Sequence, residues 1–141
     1  MSARYFLDTN IFIYSFEPRQ PAKKERSLSL IREGLSRGMG IISTQVIQEF
    51  LNVATCKFAV PMKLDDSQLY LRLVLNPLCQ VYPSLALYQT ALDLQAETRY
   101  SFYDSLIIAA AIHGGCEILY SEDFQDGQAV QGVSIVNPYA R

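Results

Sequence analysis

Arg4-Tyr5-Phe6-Leu7-Asp8-Thr9-Asn10 is a short apolar run that stops on an acid and passes straight into helix-forming sequence. Residues 4–7 predict a strand, and residues 10–16 predict a short helix stopped before Pro18. The same alternation continues along the chain. Pro21 opens a helix to about Arg37, with Leu28, Ile31 and Leu35 on one face. Gly38 and Gly40 punctuate it, and Gly40-Ile41-Ile42-Ser43 predicts a second, buried strand. Thr44 is the expected cap of the next helix, where Ile47, Phe50, Leu51 and Ala54 form an apolar stripe. Pro61 ends that region. Residues 65–75 predict another helix, closed by Asn76-Pro77. Cys79 to Tyr82 reads as a third strand. Ser84 caps a helix to about Arg99, and residues 103–113 form a further helix ended by Gly114-Gly115. Residues 118–120 and 133–136 supply the fourth and fifth strands. Short apolar strands alternating with amphipathic helices predict a parallel sheet covered by helices on both faces. In such sheets ligands bind beyond the carboxyl ends of the strands, near the topological switch. The places of interest therefore follow Leu7, Ser43 and Tyr120.

The 141 residues suit one domain spanning 1–141, and half of them are hydrophobic, enough for a core. No apolar run approaches the roughly 18 residues that a membrane span requires. The N-terminus enters strand-like sequence without a signal-peptide apolar region, so the expected location is the cytoplasm. Cys56, Cys79 and Cys116 are odd in number and widely spaced, which points to reduced thiols rather than a disulfide framework or zinc knuckle. The net charge of −2 argues mildly against a dedicated nucleic-acid binder. Basic residues are nevertheless concentrated at Arg19, Lys23, Lys24, Arg26, Arg32 and Arg37. That run reads as a solvated helix face or as a local patch facing phosphate. Tyr14, Phe16, Tyr70, Tyr82 and Tyr88 read as core or as part of an interface.

Acids stand where the strands end. Asp8 directly follows the first strand; it either caps the next helix or points into the strand-end cleft, and Asn10 would serve equally well as the cap. Glu49 lies at the margin of an apolar helix stripe, with Val46, Phe50 and Val53 as neighbours. Taken alone, it reads as turned to solvent. Asp104 has Ile107, Ile108 and Ala111 at helical spacing, on a helix that is apolar all round. That pattern places its carboxylate on the core-facing stripe, where burial is costly without a partner or a metal. A capping box running from Ser101 to Asp104 is a compatible reading. Ser121-Glu122-Asp123 follows the fourth strand as a turn, and Asp123 is the favoured acid to point into the cleft.

Carboxylates crowded at one place raise one another's pKa, and a hard divalent cation relieves this. Mg²⁺ or Mn²⁺ prefers oxygen ligands and promotes phosphodiester hydrolysis. Competing chemistries are poorly supplied. His113 is the only histidine and sits at a helix end. No P-loop, G-x-G-x-x-G, G-x-S-x-G or H-E-x-x-H is present. An Asp8-based phosphotransferase would need a second Asp two residues on, where Asn10 stands.

In combination the segments resemble the motifs of the PIN-domain family. Leu7-Asp8-Thr9-Asn10-Ile11 resembles its first motif and Ser43 to Phe50 its second. Tyr103 to Ala111 resembles the third, and Ile118 to Phe124 the fourth. The resemblance covers nearly the whole chain in order. It implies a three-layer α/β/α sandwich around a parallel sheet of about five strands, and a Mg²⁺- or Mn²⁺-dependent endoribonuclease. It implies that Asp8, Glu49, Asp104 and Asp123 form the acidic catalytic and metal site. Thr9 and Ser121 would assist a ligand or phosphate, and Asn10 would orient Asp8. The fourth motif departs from a T-x-D form, which leaves Glu122 as an alternative to Asp123. Lys23 and Lys24, in the basic segment, are the expected guides of the RNA backbone. Bacterial single-domain members of this length resemble VapC-type toxins of type II toxin–antitoxin pairs, which implies a homodimer and an antitoxin partner. The rival expectation is a PIN-like module that binds RNA or protein and cuts little or nothing.

Overall fold

Strand β1 (Tyr5–Leu7) is buried along its whole length and lies inside the sheet. It pairs in parallel with β2 (Gly40–Ser43) on one side and with β4 (Ile118–Tyr120) on the other. The computed structural model describes residues 3–140. Beyond β2 lies β3 (Cys79–Val81), parallel, with a register irregularity between Ile42 and Ser43. Beyond β4 lies β6 (Val133–Val136), also parallel, followed by the short antiparallel β5 (Ala129–Val130). The order across the sheet is β3-β2-β1-β4-β6-β5.

The connections follow from that order. The chain leaves β1 through α1 (Thr9–Tyr14) and α2 (Pro21–Arg37) to reach β2. From β2 it runs through α3 (Thr44–Cys56), α4 (Leu64–Tyr70) and α5 (Asn76–Leu78) to β3, always in the same direction. It then returns through α6 (Leu85–Thr98) and α7 (Phe102–His113) to β4, on the far side of β1. Right-handed crossovers taken in opposite directions put these helix groups on opposite faces. Helix α2 packs on β2 and α1, whereas α7 packs on β2, β4 and β6 with α6 behind it. The result is a three-layer α/β/α sandwich. The switch point is the crevice between the carboxyl ends of β1 and β4, where the Asp8 N–H donates to the Tyr120 carbonyl at 3.1 Å.

The core is built from strand residues Phe6, Leu7, Ile42, Leu119 and Ile135 and helix residues Phe12, Phe50, Leu94 and Ile108, all fully enclosed. Helix α7 is buried continuously from Ser105 to Ala111, as expected of a helix apolar all round. Gly34 of α2 and Gly40 of β2 meet backbone to backbone. A Cβ on Gly40 would stand 2.8 Å from the Gly34 Cα, so this pair sets how closely α2 approaches the sheet. Phe16 joins Phe50, Phe58 and Tyr70 in one aromatic cluster, while Tyr82 and Tyr88 are exposed.

Several expectations are corrected. The sheet has six strands rather than about five, because β5 is only two residues long and leaves no periodic signal. Its turn uses Gln131 and Gly132, both at positive φ, the twist that a two-residue hairpin requires. The first helix covers Thr9–Tyr14, not 10–16, and Asp8 is its cap. Ser43, not Thr44, stands before α3, and its side chain makes no capping bond. The helix of residues 65–75 does not stop at Asn76-Pro77. It begins at Leu64, widens into a π-helical turn over Leu71–Leu75, and continues through Pro77 to Leu78. The wider turn changes the backbone pairing just where proline lacks an N–H. Among the described residues, no helix is long and apolar enough to cross a membrane.

Candidate acidic active site

Asp8 leaves β1 at the switch point and is 5% exposed. Its Oδ1 accepts from the Thr9 N–H at 2.7 Å, and its Oδ2 accepts from the Ser121 hydroxyl at 2.7 Å. Asp8 is therefore both helix cap and cleft residue. Burial pushes its carboxyl up to about 6, and the nearby Asp123 and Glu49 charges push the same way, against the two hydrogen bonds.

The second acid comes from α3. Glu49 is half-buried, not turned to solvent, because both of its oxygens are held. Oε1 accepts from the Thr9 hydroxyl at 2.6 Å and Oε2 from Gln45 Nε2 at 3.1 Å. Gln45 lies one turn before Glu49 on the same helix face. Its Nε2 also donates to the Tyr103 carbonyl at 3.2 Å, tying α3 to the start of α7.

Asp104 enters from α7 in its first turn. The core-facing reading of this residue is corrected. Asp104 is half-exposed and the apolar burial begins at Ser105, since the first helical turn projects beyond the sheet. Its backbone N–H donates to Ser101 Oγ at 3.1 Å, so Ser101 caps the helix, and the Asp104 carboxylate faces the cleft.

The turn after β4 separates its two acids. Asp123 accepts from Asn10 Nδ2 at 2.8 Å, and its N–H donates to Ser121 Oγ at 3.1 Å. Partial burial raises its carboxyl above the usual range, helped by the Glu122, Asp104 and Glu49 charges. Glu122 points elsewhere. It accepts from the Tyr14 hydroxyl and from Lys23 Nζ, the latter at 3.0 Å. Lys23 also lies over the Tyr14 ring, 4.4 Å from its centroid.

Asp8, Glu49, Asp104 and Asp123 thus line one cleft of about 320 Å³, together with Thr9, Asn10, Gln45, Asn52 and Tyr103. Of the sequence-derived set, Ser121 acts from behind Asp8. Asn10 holds Asp123 rather than Asp8. Lys23 and Lys24 do not line the cleft, and Lys23 is committed to Glu122. His113 sits at the far end of α7, against Thr90 at 2.9 Å. Sequence reasoning missed Gln45, Asn52 and the second role of Tyr103. Gln45 carried a usable signal in its i, i+4 spacing to Glu49.

No lysine, arginine or histidine pairs with any of the four cleft acids among the described residues, whose ion pairs are Arg19–Glu17 and Lys23–Glu122. The donor set is hard oxygen, uncompensated and partly desolvated, and it suits a small divalent cation. Among the described residues no group of three His, Cys, Asp or Glu side chains is already arranged to hold a metal ion. Hydrogen bonds from Thr9, Gln45 and Asn10 already engage the Glu49 and Asp123 carboxylates. A Mg²⁺-type site does not need such a cage, because that ion is commonly held by one or two carboxylates with water and phosphate. The residues present fit the cation on those terms.

The PIN-domain family model matches residues 5–126. Among solved structures, a chain of a toxin–antitoxin complex from Klebsiella pneumoniae is similar at TM-score 0.69 and 22% identity, over 98% of each chain. VapC20 of Mycobacterium tuberculosis, a Sarcin-Ricin loop cleaving toxin, is similar at TM-score 0.58 and 17% identity, over 84% of this chain and 89% of its own. At these identities the likeness is one of fold. No curated protein sequence matches the chain.

Proposed function

The chain belongs to the PIN-domain family, and from that premise we propose that it is a metal-dependent endoribonuclease acting as the toxin of a type II toxin–antitoxin pair. One observation carries this reading: four carboxylates from β1, α3, α7 and the turn after β4 line one cleft at the switch point, and among the described residues no cationic side chain is paired to them.

Asp8, Glu49, Asp104 and Asp123 would hold Mg²⁺ or Mn²⁺. When bound, such an ion acidifies water and stabilises charge on a phosphodiester under attack. The protein's own groups do the remaining work. Ser121 and the Thr9 N–H fix both oxygens of Asp8. The Thr9 hydroxyl and Gln45 fix Glu49, and Asn10 fixes Asp123. With its pKa raised to about 6, Asp8 is a carboxyl able to take up a proton near neutral pH in the cation-free protein. Packing of Ile13, Val53 and Ile107 on the cleft wall limits water on its inner side.

The toxin reading is supported by likeness to a chain of a toxin–antitoxin complex over nearly the full length of both. On that reading the partners are an RNA substrate and an antitoxin protein, the protein works in the cytoplasm, and the chain is one domain that forms a homodimer. Sedimentation of the purified protein, alone and co-expressed with the neighbouring reading frame, checks the homodimer and the antitoxin partner. The test of the activity is cleavage of mixed RNA by purified protein in Mg²⁺ or Mn²⁺ and in EDTA. Cutting that survives EDTA contradicts the reading. Binding of RNA by folded protein without cutting under either metal favours a PIN-like binding module instead.

A further inference from the structure

Beside the acidic cleft lies a second cavity of about 360 Å³, walled in part by Ser43, Gln45, Pro83, Leu87, Phe102 and Tyr103. Gln45 and Tyr103 line both spaces, so the two share a wall. Tyr103 is 66% exposed and stands edge-on to Phe102, with ring centroids 5.6 Å apart. The backbone beneath that ring is fixed, because Gln45 holds the Tyr103 carbonyl. An exposed ring on a fixed backbone is a stacking platform. The cavity body is otherwise mostly apolar.

Among the described residues, two polar atoms of the residues forming this wall, both almost fully enclosed, lack a partner. Gln45 spends its Nε2 on Glu49 and on the Tyr103 carbonyl, which turns its Oε1 away from the acid. That oxygen is buried and unpaired, and so is the hydroxyl of Ser43, a residue 3% exposed. Buried polar atoms are nearly always paired in folded proteins. An apolar side chain entering the cavity would leave both unpaired. A nucleobase has flat faces for the rings and a polar edge for these atoms.

Building on the ribonuclease reading, we propose that this cavity holds one unpaired nucleobase of single-stranded RNA, stacked on Tyr103, with the adjacent phosphodiester in the acidic cleft. The oxygen of Gln45 only accepts hydrogen bonds. Once the enclosed amide turns toward the cavity, it favours a base edge that donates, such as the exocyclic amine of adenine or cytosine. Base choice at this subsite sets where the chain is cut.

The test is binding of fluorescent single-stranded oligoribonucleotides to the intact protein in Ca²⁺, a hard oxygen-seeking cation that offsets the acids, with any cutting scored in the same samples, beside oligonucleotides of the same length with one or all bases removed. Tyr103→Ala is expected to weaken binding of the intact oligonucleotide by about tenfold, and Tyr103→Phe to restore it. The abasic oligonucleotide should bind weakly to every variant. Circular dichroism confirms that the exposed-site variants fold. Equal affinity of Tyr103→Ala and the parent protein overturns the subsite, as does equal binding of abasic and intact oligonucleotides. If metal-dependent cutting persists in either case, the ribonuclease reading survives without the subsite. Base-dependent binding lost in Tyr103→Ala, with no cutting in any metal, keeps the subsite and removes the nuclease. A folded protein that neither binds nor cuts RNA removes both.

Discussion

Ser121 donates its hydroxyl to Asp8 Oδ2 at 2.7 Å across 113 positions of sequence. The Ser121 hydroxyl oxygen in turn accepts the Asp123 N–H at 3.1 Å. One buried serine thus joins two of the cleft acids and holds the ends of β1 and β4 together. Ser121→Ala is expected to cost about 1–3 kcal/mol of stability, the range for losing a buried hydrogen bond to a charged group. It should also raise the Asp8 pKa further, since that bond opposes burial. Urea unfolding checks the first effect. A shift of the cleavage pH profile to higher pH checks the second.

Asp8 itself links stability to pH. Its folded pKa of about 6 lies above the ordinary carboxyl value of 3.8, so the folded state binds the proton more tightly than the unfolded state. The associated stability is fully present below about pH 4 and is lost as pH rises through about 6. The shift corresponds to at most about 3 kcal/mol. Asp8→Asn should therefore be more stable than the parent at pH 7.5 in EDTA. The difference should shrink as pH falls toward 4. Unfolding measured across pH 4–8 checks the trend.

A divalent cation should reverse that penalty. If the four acids hold Mg²⁺ or Mn²⁺, adding the ion at about a hundred times its dissociation constant stabilises the protein by about 2.7 kcal/mol. Thermal melts with and without Mn²⁺ should show the gain in the parent protein. The gain should be absent or strongly reduced in Asp8→Asn and Asp104→Asn.

Lys23 provides a contrast. Its ammonium pairs with Glu122 at 3.0 Å and lies outside the acidic cleft. Lys23→Met is expected to cost no more than about 1 kcal/mol, as for other partly exposed ion pairs. Cleavage of RNA should stay within about fivefold of the parent, because about 1 kcal/mol changes a rate by no more than that. A loss of a hundredfold or more would restore Lys23 as a guide of the RNA backbone.

Gly40→Ala probes the packing instead. The new Cβ would stand 2.8 Å from Gly34 Cα, which is backbone and has no rotamer to yield. Overpacking of this kind costs about 1–3 kcal/mol. Guanidinium unfolding should show that loss, with the divalent-ion response of the surviving folded protein unchanged.

Much of this was legible in the chain. The strands at Tyr5–Leu7, Gly40–Ser43 and Ile118–Tyr120 are short apolar runs bounded by acids and glycines, and their parallel order follows from the helices between them. The placing of acids after strands located the cleft, because chain ends of parallel strands gather at one edge. Other features were hidden. The β5 hairpin is too short for any period. Pro77 looked like a stop because a π-helical turn cannot be read from residue type. Glu49 read as solvent-facing because the Thr9 hydroxyl that holds it comes from 40 positions away, while Gln45, one turn before it, was overlooked. Glu122 and Asp123 were adjacent acids in sequence. The pull of Lys23 and Tyr14 on the former, 99 and 108 positions away, exists only in three dimensions.

The central claim is that the four acids cut RNA with a divalent cation, and it is tested most directly by comparing the parent protein with Asp8→Asn and Asp104→Asn. Each purified, folded protein is incubated with single-stranded RNA in Mn²⁺ or Mg²⁺, and again in EDTA. The expected result is cleavage by the parent in metal alone, and a fall of at least a hundredfold in both variants. Cleavage that persists in EDTA, or at parental rate in both variants, would contradict it.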